Sequence, residues 1–198
     1  MSFKTYDILS SLIPGALILL TVFNPVGAKY DRNLILAYTA ISFLLGYIIN
    51  AIASWLEGIY VLTWGGKPSD KLLSGQNIWK ARFYWAEEVK TLLKRETTNP
   101  NPSNDELFSI AMRTVAGIKD SRIEDFNAMY AFSRSLLTTA VLGSAILLFH
   151  NYSNWKYYAV LVPLVFITWL RCKQRAYYYA REVLNEYLKK ERSTRQRS

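Results

Sequence analysis

The residues best placed to do chemistry in this chain lie in an apolar stretch. Thr39, Ser42, Gly46, Asn50, Ala53 and Glu57 recur at 3-4-4-3-4 spacing, which puts them on one face of a helix. All are small or polar. Such a face lines a water-filled path when helices gather round it, with Asn50 supplying donors and acceptors and Glu57 a charge at the inner mouth. It suits close helix packing as well, with Asn50 as a hydrogen-bonding partner between helices. Of the two readings, packing is favoured. Ser135, Thr139 and Gly143 form a second small strip that reads as packing. A further group is cationic: Lys189, Lys190, Arg192, Arg195 and Arg197 crowd the end of the chain. Near anionic lipid each cation contributes about 1 kcal/mol, so these residues are expected to anchor the tail to head groups. Tyr177, Tyr178 and Tyr179, beside Arg175 and Arg181, offer stacking surfaces for nucleic acid. Nucleic acid is nevertheless not the expected partner, because basic residues in such segments ordinarily set orientation.

Catalytic groupings are missing. The chain has one cysteine, Cys172, and one histidine, His150, so neither a cysteine cluster nor a multi-histidine metal site can be built. No Gly-rich phosphate loop and no Gly-x-Ser-x-Gly turn occurs. Glu87 and Glu88 are adjacent and diverge on a helix, while Asp120, Glu124 and Asp125 cluster near the expected membrane surface, with Glu124 already in a capping role. No enzyme activity, metal or cofactor is expected.

The elements that position these residues follow from where charge is absent. Of 198 residues, 51% are hydrophobic and the net charge is +9, yet residues 8–28, 33–56, 135–155 and 157–170 hold no Asp, Glu, Lys or Arg. A helix crossing the hydrocarbon core needs roughly 20 residues. Three stretches meet that length. The fourth does so with Lys156 and Arg171 reaching back to the head groups. Trp55, Trp64, Trp155, Tyr157, Tyr158 and Trp169 flank the stretches as interfacial aromatics do. The first stretch also resembles a signal peptide, with Lys4 before it and Val26-Gly27-Ala28 after it. Asp7 and Pro14-Gly15 argue for a retained span. Pro14-Gly15 and Pro163 are expected to kink their helices.

The expected fold is therefore all-α: an integral membrane four-span protein with cytoplasmic helices between spans 2 and 3 and a cytoplasmic C-terminal helix. Residues 1–64 form the first transmembrane hairpin (spans about 8–28 and 33–56). Residues 65–121 form a cytoplasmic helical segment. Residues 122–170 form the second hairpin (spans about 134–153 and 154–171), and 171–198 form the basic tail. Residues 57–134 carry eleven Lys and Arg and the tail nine, so positive-inside places both in the cytoplasm with both termini. Within the cytoplasmic segment, Ile78, Ala81, Trp85, Val89 and Leu92 give a helical face over 72–95. The run 97–102, with Pro100 and Pro102, ends it. Ser103 and Glu106 have capping-box spacing and start a helix at Asn104, and Ser121 with Glu124 repeats the signal. Nothing breaks 122–149, which reads as one long helix rising into the third span. The last ten residues are expected to fray.

Tyr6-Asp7-Ile8-Leu9-Ser10-Ser11-Leu12-Ile13-Pro14-Gly15 resembles the opening YDxLSxLIPG of small bacterial four-span membrane proteins. Gly46-Tyr47, Phe132-Ser133-Arg134 and Tyr179-Ala180-Arg181-Glu182-Val183 are similar to the same type. Some of those proteins resemble membrane effectors of anti-phage defence, in which a cytoplasmic sensor triggers oligomerisation or opening and the membrane becomes leaky. The resemblance implies an inner-membrane homo-oligomer that forms a pore or disrupts the membrane, gated from the cytoplasm by a sensor protein. The alternative is a non-conducting anchor or adaptor that docks a cytoplasmic partner.

Overall fold

A computed structural model describes residues 5–27, 31–76, 81–118 and 121–196. Lys4, Ala28, Lys29, Ile78, Asp120 and Arg197, and the side chains of Tyr6, Asp7 and Leu9, lie outside that description. The described residues are all-α, with no strand. Among the described residues the α-helices are α1 Thr5–Val26, α2 Ile35–Thr63, α3 Pro68–Leu73, α4 Ala86–Arg95, α5 Asn104–Val115, α6 Ile123–His150 and α7 Trp155–Arg195. The chain divides into two units: unit 1 is Met1–Gly58 with Ala128–Cys172, and unit 2 is Ile59–Asn127 with Lys173–Ser198.

Unit 1 is built from long apolar helices in close contact. Two helical stretches are long and apolar enough to cross a membrane: Arg32–Leu73, which contains α2, and Ile123–His150, which is α6. Ser10–Phe23 within α1 is a shorter apolar helix. α1 runs through Pro14, and α7 through Pro163, without interruption of the helix. α1 and α2 meet where neither has a side chain. A Cβ built on Gly15 would lie 1.7 Å from the Ser42 carbonyl oxygen, and one on Gly46 would lie 1.7 Å from the Ser11 carbonyl oxygen. Both glycines are therefore obligatory for this approach. Gly143 of α6 faces the Thr21 hydroxyl at a looser 3.3 Å. Small residues permit such contact where no hydrophobic effect drives helices together.

What unit 1 buries is mostly small, with hydroxyls set among Ile18, Ile49, Leu137 and Leu161. Ser42, Ser133, Ser135, Thr138, Thr139 and Ser144 are all buried. Two of these hydroxyls are satisfied by their own helix, Ser133 donating to the Met129 carbonyl at 2.8 Å and Thr138 to the Arg134 carbonyl at 3.0 Å, while those of Thr139 and Ser144 are buried without a partner. What it exposes is large and apolar: Leu20 is 61% exposed, Leu36 83% and Leu44 60%, with Val160, Phe166 and Ile167 similarly open. Only 17% of the most apolar window around α2 and 39% of that in α6 is buried. A core helix of a water-soluble protein would be buried far more completely.

Unit 2 has the opposite organisation. α3, α4 and α5 pack on one another. Leu72, Leu73, Val89, Leu93, Leu107, Ala111, Val183, Leu184 and Tyr187 form one continuous core that takes in the later turns of α7. Polar groups sit outside and tie the helices together. Ser103 accepts from the Glu106 amide at 3.2 Å and caps α5. Glu106 in turn accepts from the Thr97 hydroxyl at 2.8 Å and the Asn99 amide at 2.9 Å, which pins the loop between α4 and α5. Lys67 pairs with Asp105.

Two sequence expectations change. The helix expected over 72–95 does not form as one piece: α3 stops at Leu73, and α4 begins at Ala86. Gly75 adopts φ +71, and Gln76 donates to the Lys71 carbonyl at 2.8 Å, so a helix stop is written into the chain there. Ala81 and Phe83 are buried from a non-helical segment instead. The tail, expected to fray over its last ten residues, remains helical to Arg195. It is held by side chains: Tyr187 donates to Glu96, Lys190 donates to the Thr114 carbonyl at 2.7 Å, and Arg192 pairs with Glu88 at 2.8 Å.

Candidate functional site

The densest polar grouping in unit 1 joins α2 to α6. Asn50, Ser54 and Glu57 follow at 4-3 spacing on α2, and Tyr130 and Arg134 stand one helical turn apart on α6. Arg134 forms an ion pair with Glu57 and donates to the Ser54 hydroxyl at 3.0 Å. Tyr130 donates its hydroxyl to the other Glu57 oxygen at 2.7 Å. The Arg134 guanidinium also lies 5.5 Å from the centre of the Tyr130 ring, within cation–π range. Ser135 continues the ladder by donating to Asn50 Oδ1 at 3.2 Å. The Arg134 side chain is only 12% exposed, whereas that of Glu57 is 40% exposed. The cation is therefore dependent on its partner. Removing one member of a buried pair costs about 3–5 kcal/mol, because the other charge is left uncompensated. The Arg134 Nε is buried without a partner, so the guanidinium is not fully satisfied even in this arrangement.

The face read from sequence divides along its length. Ser42, Gly46 and Ala53 are buried, the first two against α1. Thr39 is exposed and returns its hydroxyl hydrogen bond to the Ile35 carbonyl at 2.8 Å. Asn50 and Ser54 are exposed at one end, next to Glu57. Ser135, Thr139 and Gly143 are buried within unit 1. His150 is exposed at the end of α6, and Cys172 is a buried free thiol.

The tail cations also divide. Lys190 and Arg192 are engaged with unit 2, as above, and Lys189 lies 3.5 Å from Glu186. Arg195 closes α7. Lys189 stands about 24 Å along the helix from Lys173, at 1.5 Å per residue. Buried groups in unit 2 have displaced protonation equilibria. Burial and then the nearby Glu96 carboxylate raise the Tyr187 hydroxyl above the usual tyrosine range. Burial alone pushes Tyr177 up to about 12. Burial, and secondarily Lys71, lowers Lys173.

Tyr130, Arg134 and Ser54 were not singled out as partners of Glu57 from sequence. A signal for the pair existed. Glu57 directly follows one charge-free stretch and Arg134 directly precedes another, so antiparallel packing of the two helices brings opposite charges to the same level. Among the described residues no group of three or more His, Cys, Asp or Glu side chains is gathered to hold a metal ion. No protein-family model, curated protein or solved structure matches the chain.

Proposed function

We propose that this chain is a four-span bacterial inner-membrane protein, with unit 1 in the lipid, unit 2 and both termini in the cytoplasm, and that it acts as an oligomeric pore-forming or membrane-disrupting effector. One observation carries the reading: unit 1 exposes large aliphatic and aromatic side chains and buries serine and threonine, yet Asn50, Ser54 and part of Glu57 open onto that same surface. In hydrocarbon a polar edge of this kind needs cover, and polar edges of neighbouring copies would cover one another or enclose water. The Glu57–Arg134 pair would then hold α2 against α6 in the resting arrangement. Gating through unit 2 by a cytoplasmic sensor, and a setting in anti-phage defence, rest on the sequence resemblance.

The test is release of a trapped dye from liposomes carrying the purified protein, with oligomer size measured in parallel. The reading expects a defined oligomer and release that Asn50→Leu abolishes. A monomer that stays silent, and an Asn50→Leu variant identical to it, would discard it.

A second reading, a non-conducting anchor or adaptor, draws on a separate observation. The small residues Ser42 and Gly46 are spent on packing α1 and are not open to line a path. Unit 2 has a complete core of its own and would suffice to dock a partner. The same liposome experiment separates the two.

A further inference from the structure

Unit 2 holds a pocket of about 410 Å3 beside the last turns of α7. That volume falls in the range of small-molecule sites. Leu188, 4% exposed, contributes an apolar surface, and Trp85, 47% exposed, contributes a flat one. The other lining groups are polar or cationic: Asn185, Lys189, Arg192, Ser193 and Gln196, with Glu88 and Glu186 paired to the two cations. The site is also prearranged. The Arg192 guanidinium lies 4.5 Å from the centre of the Trp85 ring and is oriented by Glu88, which accepts from Nη2 at 2.8 Å and Nε at 3.3 Å. Its plane is therefore set before anything binds. Lys189 is 77% exposed, and its Glu186 contact, at 3.5 Å, is at the long end for a hydrogen-bonded pair. Its ammonium can swing to a ligand at little cost.

These features select a ligand chemistry. A planar apolar body fits against the open part of the indole and Leu188, and an anionic group fits between Lys189 and Arg192, where the side-chain amides of Asn185 and Gln196 can donate further hydrogen bonds. We propose that this pocket binds a small ligand composed of a flat apolar ring system bearing a phosphate or carboxylate. The pocket lies wholly in unit 2, so the proposal stands apart from whether unit 1 conducts.

Full-length protein labelled with fluorotryptophan, in nanodiscs of zwitterionic lipid, allows the test by fluorine NMR. Trp85 is assigned from the signal lost in Trp85→Phe. Naphthyl phosphate serves as the probe. The expected result is a saturable shift of the Trp85 signal with a midpoint of about 1 mM or tighter. Lys189→Gln and Arg192→Gln should each weaken binding about tenfold, and neutral naphthol should give no saturable shift. Unmoved signals from the other tryptophans report that each variant is folded. A Trp85 shift in nanodiscs of anionic lipid without probe would identify a lipid head group as the natural source of the anion. Its absence, with the probe still binding, would identify a soluble ligand. No saturable Trp85 shift with the probe, or a shift of equal midpoint in Lys189→Gln, would overturn the proposal.

Discussion

Thr138 in unit 1 and Leu184 in unit 2 are both fully buried, while Leu36 in unit 1 and Lys189 in unit 2 are both wide open. The same chain thus sorts its residues by opposite rules in two places. Unit 2 follows the rule of water: aliphatic and aromatic groups inside, charges outside and paired across helices. Unit 1 departs from it, exposing large apolar groups and burying many hydroxyls, and its helices meet through close backbone approach and through the Ser135–Asn50, Tyr130–Glu57 and Arg134–Glu57 links. This difference teaches that the near-neutral mean hydropathy of +0.04 describes neither half. The stripe of small residues is adhesive in unit 1 because it lets backbones approach closely, so that contact and hydrogen bonds join the helices.

The largest effect that would sharpen the comparison is expected at the crossing of α1 and α2. A Gly46→Leu side chain collides with backbone, not with a movable side chain. Unit 1 should fail to assemble, and hydrogen exchange should rise along α1 and α2 while the core amides of unit 2 stay protected. Loss of protection in both units together would show that the two do not fold independently. Next comes Glu57→Gln, which leaves Arg134 buried with a weakened partner. We expect a loss of about 3 kcal/mol, the low end for a broken buried pair because Glu57 retains solvent contact. Thermal melting in detergent measures it, and Glu57→Gln combined with Arg134→Gln should recover part of the loss.

Alkaline pH should act chiefly on unit 2. In the unfolded chain tyrosine loses its proton near pH 10. In the fold Tyr177 holds its proton to about 12, and Tyr187 is also raised. The unfolded state therefore binds fewer protons above about pH 10, and the contribution of these groups, complete below that pH, falls as pH rises further. Lys173 works the other way, since its lowered pKa makes its charge a burden relieved on deprotonation. Melting of Tyr187→Phe across this range should show a shallower alkaline decline than the parent. The smallest effect is at Tyr177, whose hydroxyl is buried with no hydrogen-bond partner. Tyr177→Phe should leave stability unchanged or raise it by up to about 1 kcal/mol, because it removes an unsatisfied polar group. A clear loss would reveal a partner for that hydroxyl.

Local signals in the sequence were readable where one residue type has one local use. Ser103 caps α5 at the position its spacing to Glu106 indicates, and the unbroken run after Arg122 becomes α6. The stop at Gly75 was missed because Ala81, Val89 and Leu92 mimic a continuous helical period across a segment that turns. The tail reads as frayed because it is basic and terminal, whereas Lys190 and Arg192 are bonded to residues 76 and 104 positions earlier in the chain. The candidate site was legible in half. Glu57 and Asn50 stand out on α2 by type and spacing. Their partners Tyr130, Arg134 and Ser135 lie 73, 77 and 85 residues away, and only the packing of α2 on α6 selects them.

The central claim is that the exposed apolar surface of unit 1 faces lipid. Single spin labels at Leu20, Leu44, Val141 and Phe166, placed on a Cys172→Ser background in liposomes, test it through collisions with oxygen, which concentrates in hydrocarbon, and with a water-soluble nickel chelate. The account predicts high oxygen and low nickel accessibility at all four positions, with the reverse at Lys94 and Arg113 in unit 2. Nickel accessibility at Leu20 and Leu44 equal to that at Lys94 would contradict it.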